Sequence, residues 1–332
     1  MKIAFLVSSL NNPSTKFRVI QYIPYFEKQG WEVKVLIFPK NLQKRIHLFF
    51  SLKNFDIVIL QKRLLTLISW KLLKSNSKLI GFDFDDAVMF RDYLRKKQKS
   101  FIRKQKFARI VKGSDIILAG NHYLKNHAIK YNRNVFIVPT SIDVEKYRQR
   151  NYSKESDNRV TLGWIGSSST VFYLERLKHI WDEAFNRYPN TRLKIVADNF
   201  FHCDKMPVTR KMWNYDEEIS DLHSFDIGLM PLTDDLWSQG KCGFKLLQYM
   251  AVGIPVICSP VGINKKIVKP GINGFWAENE NDWLDSLGKL IKDRALRETM
   301  GKEAFNTVNE SYSLGAWAPR LISILENNIS KC

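Results

Sequence analysis

The sequence predicts an α/β protein made of two doubly wound, Rossmann-like domains, because short apolar runs alternate with helical patterns and this alternation starts twice. A chain of 332 residues is longer than one hydrophobic core usually serves. The predicted strands of the first series are residues 3–7, 31–38, 56–60, 78–82, 115–119 and 135–138. The predicted strands of the second series are residues 160–165, 192–197, 226–230 and 255–258. Short buried strands separated by helices are typical of parallel sheets.

Helical patterns and one polar segment complete this organisation. Residues 19–29 have helical spacing and stop at Gly30, and residues 173–188 predict a helix after a turn of small residues. The polar segment 149–158 predicts a linker between an N-terminal domain, 1–150, and a C-terminal domain, 156–312. Ligands of doubly wound domains bind at the carboxyl ends of the strands, so we expect a site in a central cleft that the two domains face.

Cysteine usage and hydropathy predict a cytoplasmic protein that is not integral to a membrane. The four cysteines lie far apart and form no CxxC pair, which argues against a disulfide framework or a structural zinc site. The apolar run 3–7 is too short for the core of a signal peptide. The most apolar internal stretch, 64–73, is about half the length of a membrane-spanning helix.

The positive charge is concentrated in the N-terminal half. The net charge is +19, and residues 1–150 hold 30 Lys and Arg against 10 Asp and Glu, whereas the remainder holds 22 against 23. Such asymmetry indicates an anionic partner of the first half, either nucleic acid or an anionic bilayer. The alternative is a solvated basic face that only aids solubility.

Two stretches, 40–53 and 91–112, carry much of this charge and interleave it with aromatic and aliphatic residues. This pattern fits docking on an anionic membrane surface, where basic side chains attract head groups and apolar ones insert shallowly. It also fits single-stranded nucleic acid. Because the sequence has no RNP, KH or helix-turn-helix signature, we predict a membrane surface and no nucleic-acid partner.

The second half contains a candidate anion site. Gly166, Ser167 and Ser168 form a small-residue turn between a predicted strand and a helix, where free N–H groups and the helix dipole suit a diphosphate. Further along, Lys241, Lys245 and Gln248 lie at helical spacing and are predicted to hold the diphosphate and a neighbouring hydroxyl. The alternatives are an ordinary Gly/Ser-rich turn and two solvated lysines.

Three further side chains are candidates for contacts with the nucleoside. Trp164, Asp198 and Trp213 end or follow predicted strands of the second half, where a base or a ribose would lie. Core packing is the alternative for both tryptophans.

An acidic motif marks the corresponding edge of the first half. Asp83, Asp85 and Asp86 follow a predicted strand, and a carboxylate there could act as general base on an acceptor hydroxyl. A divalent metal site and a helix cap are the alternatives. Other candidates expected at the same edge are Ser14, Thr15, Arg18, Asn121 and His122.

Several motifs then resemble those of one enzyme family, in the expected order over nearly the whole chain. They are FRVIQYIPYFEKQGWEVKVL, VPTSIDVEKY, GWIGS, FDIGLMPL, GKCGFKLLQYMAVGIPV, NGFWA and the closing LRETMG…ESYSL. The segment QYMAVGIPV is similar to the signature E-A-M-A-x-G-x-P-V of retaining glycosyltransferases of family 4, the glycosyl transferases of group 1.

The resemblance implies a GT-B fold in which a C-terminal helix, 313–332, packs back on the N-terminal domain. It implies transfer of a sugar, with retention, from a nucleoside-diphosphate sugar (a UDP- or GDP-sugar) to a hydroxyl of a lipid-linked or cell-envelope glycan in polysaccharide biosynthesis. No metal and no other cofactor is implied. With the basic stretches, it predicts a peripheral protein at the inner face of the cytoplasmic membrane.

The sequence departs from the family at its paired glutamates. Gln248 stands in the second position and Gly240 in the first, so Asp234 and Asp235 are candidates to reach the donor sugar instead. The turn after the first strand of the second half also carries no charge, which leaves Lys241 and Lys245 to neutralise the diphosphate. A catalytically degenerate protein that binds nucleotide or glycan as a partner subunit is therefore the alternative function.

Overall fold

The computed structural model describes residues 1–92, 95, 97–152 and 159–330, and its described part forms two compact units. Unit 1 contains Met1–Ser141, Asp235–Cys242 and the chain from Leu314 onward, and unit 2 contains Ile142–Asp234 and Gly243–Ser313. Unit 2 thus begins before the predicted linker 149–158, of which residues 153–158 lie outside the described residues. Residues 93, 94 and 96 of the basic stretch 91–112 also lie outside them.

Unit 1 is built on a six-stranded parallel sheet with the strand order β2-β1-β3-β4-β5-β6. The strands are β1 (Lys2–Val7), β2 (Glu32–Ile37), β3 (Ile57–Gln61), β4 (Ile80–Phe84), β5 (Ile116–Ala119) and β6 (Val135–Ile137). Strands β3, β4 and β5 are buried at every position, as expected for a parallel sheet covered on both faces.

Helices cover both faces of this sheet. One face packs α3 (Leu42–Ser51), α4 (Leu67–Ser75), α5 (Phe101–Gly113) and α6 (His122–Ala128), which bury Phe49, Leu73, Phe107 and Leu124 in a common core. The other face packs α1 (Pro13–Arg18), a 3-10 turn (Ile20–Tyr22), α2 (Ile23–Lys28) and α15 (Leu314–Ile329). Helix α15 adds Leu321 and Leu325 to this second core, so chain from beyond unit 2 completes unit 1.

Unit 2 repeats the architecture with the strand order β12-β11-β10-β7-β8-β9, again all parallel. The strands are β7 (Val160–Ile165), β8 (Thr191–Ala197), β9 (Val208–Met212), β10 (Ile227–Met230), β11 (Val256–Cys258) and β12 (Gly274–Trp276). The helices are α7 (Val144–Tyr147), α8 (Ser168–Glu175), α9 (Lys178–Arg187), α10 (Glu218–His223), α11 (Phe244–Ala251), α12 (Asn264–Ile267), α13 (Glu280–Lys292) and α14 (Arg294–Ser311).

Two predicted helices are each divided in the structure. The pattern at 19–29 becomes the 3-10 turn and α2, because Pro24 in the first turn of α2 has no N–H for a continuous helix. The pattern at 173–188 becomes the end of α8 and then α9. The Trp181 indole donates to the Leu174 carbonyl at 2.9 Å and satisfies an acceptor at the end of α8.

Candidate functional site

The carboxyl edge of the unit 1 sheet carries the predicted acidic motif. Strands β3 and β4 are neighbours, with Gln61 opposite Asp83, so the residues that follow them leave the sheet side by side. Asp85 and Asp86 come directly after β4, and Lys62 comes directly after β3 with a positive φ of 56°. A positive φ is uncommon for a residue other than glycine, and here it accompanies a turn into the acidic cluster.

Lys62 and Lys241 neutralise this cluster. The Lys62 Nζ lies 2.9 Å from Asp85 Oδ1 and also pairs with Asp86, while the Lys241 Nζ lies 3.1 Å from Asp86 Oδ1. Burial alone would raise the pKa of Asp86, but the ammonium groups of Lys241 and Lys62 outweigh it and hold the pKa well below its usual value. Burial would likewise lower the pKa of Lys62, and Asp85 and Asp86 raise it instead.

Asp83 forms a separate buried ion pair. Its carboxylate accepts from Arg18, whose Nη1 also donates to the Val138 carbonyl at 2.9 Å. Burial would lower the pKa of Arg18, but Asp83 reverses the effect and raises it above its usual value. Arg18 and Asp83 are both nearly inaccessible, at 6% and 5% exposure. Asp83, predicted as catalytic, therefore lies in the core of unit 1 beside a cation.

These surroundings separate the three predicted general bases. Asp86 is a weak base because its pKa is lowered, and Asp83 is occupied by Arg18. Asp85 accepts from the Ser14 hydroxyl at 2.8 Å, while its Oδ1 is buried and makes an ion contact with Lys62 without a hydrogen bond of good geometry. Among the described residues, Asp85 is thus held by one cation, Lys62, and by a neutral hydroxyl, that of Ser14.

The other residues predicted at this edge have mainly positioning contacts. The Thr15 hydroxyl donates to Gln61 at 2.9 Å. Asn121 accepts from Leu124 N at the start of α6, and its amide donates to the carbonyls of Gly240 and Lys241. His122 is the first residue of α6.

Lys241 is not where its helical spacing predicts. It precedes α11 in the sequence but is not part of that helix, which contains Lys245. Instead Lys241 follows a 3-10 turn (Ser238–Gly240) in the segment Asp235–Cys242, which belongs to unit 1. Asp235 of the same segment is bound by Gln98 and by the backbone of Trp237 and Ser238, and Asp234 belongs to unit 2. Lys241 and Lys245 are therefore described in different units.

In unit 2, Lys245 stands over the small-residue turn after β7. Its Nζ lies 3.4 Å from the Thr170 hydroxyl and 5.2 Å from the centre of the Trp164 ring. A Cβ on Gly166 would overlap both the Trp164 ring and the aliphatic chain of Lys245, so only glycine leaves room here. The result is a half-buried ammonium beside a turn with exposed serines in unit 2.

The first turn of α8 already has an anionic acceptor. Ser167 and Thr170 form a capping box, and Ser168 donates its backbone N–H and, at 3.0 Å, its hydroxyl to Asp198. The Ser168 N–H predicted to hold a diphosphate is thus bound to the Asp198 carboxylate in this structure. A diphosphate could take this N–H only by displacing that carboxylate.

Two predicted contacts with the nucleotide are buried. Trp164 is 1% exposed and packs in the core of unit 2, which leaves no exposed ring face for a base. Gln248 is 3% exposed, so it does not share an open face with Lys245, and it hydrogen-bonds the Tyr147 side chain. Trp164 lies on β7, which is buried at every position, and Gln248 lies on α11, which packs against α14, β10, β11 and α7.

Trp213 and Tyr147, the side chain beside Gln248, both donate to a carboxylate that the sequence patterns did not reveal. Glu218 is 4% exposed and accepts from the Tyr147 hydroxyl at 2.6 Å and from the Trp213 indole at 3.0 Å. Burial and Glu218 raise the pKa of Tyr147 well above its usual value, so Tyr147 keeps its proton. No spacing in the sequence indicates this cluster. Lys62, by contrast, follows a buried strand and could have been found by the rule that identified Asp83.

Within the ranges that the structure describes, no three His, Cys, Asp or Glu side chains are grouped so that they could hold a metal ion. Among the described helices, none has the length and apolarity needed to cross a bilayer.

Comparisons with known proteins match this architecture. Residues 212–307 match the model of the family Glycosyl transferases group 1. Over 219 residues the chain is 22% identical to N-acetyl-alpha-D-glucosaminyl L-malate synthase of Bacillus anthracis, a match that covers 61% of this chain and 57% of that protein. The matched region therefore spans little more than half the length of this relative.

Two solved structures are similar over the whole chain. Sucrose-phosphate synthase of Thermosynechococcus elongatus superposes with a TM-score of 0.75 at 12% identity and covers 100% of both chains. HepE of Anabaena, solved with UDP and glucose, gives a TM-score of 0.72 at 13% identity and covers 98% of this chain and 100% of that one. The two six-stranded parallel sheets and these matches confirm the predicted GT-B fold and the resemblance to group 1 glycosyl transferases, and they support the predicted class of enzyme, a glycosyltransferase.

Proposed function

We propose that the protein transfers a sugar from a nucleoside-diphosphate sugar to a hydroxyl of a lipid-linked or cell-envelope glycan, with retention of configuration. The bond between the anomeric carbon and the diphosphate oxygen breaks, and the acceptor oxygen bonds to the anomeric carbon. The nucleoside diphosphate leaves, and the acceptor proton passes to a base. UDP is the favoured nucleotide because HepE, a GT-B protein of similar fold, was solved with UDP.

The observation that carries this proposal is the position of Lys245 over the Gly166 turn. An ammonium group there can bind a leaving diphosphate directly, and the aromatic face of Trp164 holds its side chain in place. The exposed side chains of Ser167 and Ser169 lie at the same turn and can donate to phosphate oxygens. Trp213, half-buried after β9, is the candidate for a contact with the base.

On the acceptor side we assign proton acceptance to Asp85. Asp83 and Asp86 then act as positioning residues, because Asp83 is nearly inaccessible beside Arg18 and Asp86 is held by two lysines, Lys62 and Lys241, whereas Asp85 pairs, among the described residues, with Lys62 alone. The acceptor is expected at a membrane surface, which the basic stretches 40–53 and 91–112 would approach from the cytoplasmic side. A required metal is not part of the proposal.

Titration with UDP and GDP tests the donor site. Lys245→Ala removes a charge-assisted contact with phosphate worth about 1.5–3 kcal/mol, so the Kd for UDP should rise roughly 10- to 100-fold. Lys265→Ala, which removes an exposed lysine of α12 in the same unit, is the matched control and should leave the Kd unchanged. Equal affinity of the wild-type protein and Lys245→Ala for UDP would refute the assignment of Lys245.

A degenerate binding protein is the second candidate, and the buried Gln248 favours it. The family position that carries a charged glutamate holds a neutral amide here, bound to Tyr147. Transfer or donor hydrolysis distinguishes the candidates: an enzyme should lose turnover in Asp85→Asn while it keeps its affinity for UDP. If no envelope glycan or lipid-linked acceptor supports turnover and UDP still binds, the degenerate protein is correct.

A further inference from the structure

Unit 1 contains a cavity of about 320 Å³ on the helical face that carries α5 and α6. Its walls come from Met89 and Phe90 after β4, from the first half of α5 and from the end of α6. Phe107, which belongs to the apolar core, closes it together with Tyr131. The cavity is separate from the acidic cluster, since neither Lys62 nor any of the three aspartates lines it.

The cavity carries three lysines and no carboxylate among its lining residues. Lys99, Lys104 and Lys130 line it from three different segments and are all exposed, and no described carboxylate forms an ion pair with any of them. His127 also lines it, and burial, followed by Lys130 and Lys104, lowers its pKa. Three uncompensated ammonium groups around an apolar floor are suited to an anion attached to an apolar group.

Apolar side chains are exposed at the start of α5, beside the cavity, and at the starts of α3 and α4. Phe101 and Ile102, in the first turn of α5, are 74% and 65% exposed. The first turns of α3 and α4 also present apolar side chains, Leu42 at 56% and Ile68 at 69% exposure. These three helices pack on one face of the same parallel sheet and each leads from one strand to another parallel strand, so their exposed apolar first turns all lie toward the carboxyl edge of that sheet. Aliphatic and aromatic side chains exposed together are unfavourable in water and favourable in a bilayer interface.

We propose that this cavity binds the phosphate of a lipid head group, with Phe101 and Ile102 inserted among the acyl chains. The inference rests on the proposed function, in which the acceptor is carried by a membrane, and it assigns the recognition of the lipid phosphate to Lys99, Lys104 and Lys130. A nucleic acid would place stacked bases rather than acyl chains against the exposed apolar side chains, and of the four only Phe101 offers an aromatic face for stacking, whereas Ile102, Ile68 and Leu42 are aliphatic.

Co-sedimentation with vesicles of phosphatidylcholine, alone or mixed with phosphatidylglycerol, tests the proposal. We expect binding to the mixed vesicles only. Each lysine near an anionic surface contributes about fivefold to partitioning, so the double variant Lys104→Ala/Lys130→Ala should bind about 25-fold more weakly. The matched control Lys28→Ala/Lys34→Ala also removes two exposed lysines of unit 1, but outside the cavity, and should retain most of the binding. Phe101→Ser should weaken binding to the vesicles without changing the net charge.

Each other outcome overturns the proposal. An equal loss in both double variants would mean that net charge alone attracts the protein. Binding of glycerol phosphate or inorganic phosphate by a protein that does not bind vesicles would assign the cavity to a soluble phosphate compound. Binding of an oligonucleotide in place of vesicles would assign the cavity to nucleic acid. UDP titration of the same variants keeps this test separate from the proposed function: loss of vesicle binding with unchanged UDP affinity concerns the cavity alone.

Discussion

At the scale of single residues, Lys62 joins two carboxylates that would otherwise repel each other. Its side chain is 23% exposed, and those of Asp85 and Asp86 are 12% and 17% exposed. Two like charges at this depth require compensation, and the cations that supply it come from different parts of the chain, Lys62 after β3 and Lys241 before α11. The acidic motif predicted from the sequence is therefore half of a mixed-charge cluster.

Lys62→Met tests this compensation. Removal of one cation from the partly buried cluster should lower the free energy of unfolding at neutral pH by about 3 kcal/mol. The lowered pKa of Asp86 stabilises the folded state above the ordinary pKa of aspartate, and that stabilisation is lost as the pH falls below it. In urea unfolding, the free energy of unfolding should therefore fall less between neutral and acidic pH in Lys62→Met than in the wild type.

Lys78→Met is the control for this prediction. Lys78 pairs with Asp56 at 2.9 Å on the surface, with 59% of its side chain exposed, so its loss should cost less than about 1 kcal/mol. Equal costs in the two variants would mean that the cluster around Lys62 contributes no more than an exposed ion pair.

At the scale of secondary-structure elements, the strands could be predicted because burial on both faces leaves continuous apolar runs. Residues 160–165 were predicted as a strand, and β7 has those bounds. Two strands were missed. The edge strand β9 exposes Thr209 and Arg210 and has no apolar run, and β12 has only three residues. A hydrophobic pattern cannot reveal such strands, because they form by pairing with a neighbouring strand and do not have a run of buried apolar residues.

Close packing between elements also depends on a glycine of β7. A Cβ on Gly163 would overlap the ring of Phe225, which is fully buried. Gly163→Ala should therefore destabilise the protein by about 1–3 kcal/mol in chemical unfolding. Gly315→Ala is the opposite case, since a Cβ there meets open space in the first turn of α15 and should stabilise the helix by up to about 1 kcal/mol. A stabilised Gly163→Ala variant would show that Phe225 can move aside without cost.

The sequence indicated many of the residues of the candidate site, but it did not indicate which residues they contact. The rule that ligands bind at strand ends located Asp83, Asp85 and Asp86, and helical spacing indicated Lys245, which the structure brings to the Gly166 turn. It could not assign Lys241 to unit 1, because that depends on the return of Asp235–Cys242 to the other unit. The pairing of Asp198 with Ser168 is likewise a tertiary contact that a linear pattern does not contain.

At the scale of the whole molecule, α15 completes a core of unit 1 with residues that follow unit 2 in the chain. Leu325 is fully buried against the side of the unit 1 sheet that also packs Phe26. Leu325→Ala should cost about 2–5 kcal/mol, whereas Ser323→Ala on the exposed side of the same helix should change little.

Hydrogen exchange can show which strands lose stability in Leu325→Ala. Amides of β1 should exchange faster in Leu325→Ala, and amides of β7 should be unaffected, because α15 contributes to the core of unit 1 only. Faster exchange throughout both sheets would mean that the two units unfold as a single cooperative body.

The place of α15 in the chain constrains how the protein is made. Domains usually fold one after another as they leave the ribosome, beginning with the N-terminal one. Unit 1 cannot follow this order, since residues 314–329 emerge only after all of unit 2 has been synthesised. Until then the apolar surface around Phe26 has no cover, and a nascent chain must keep its first domain unfinished while the second one folds. This surface is where a ribosome-associated chaperone would be expected to bind.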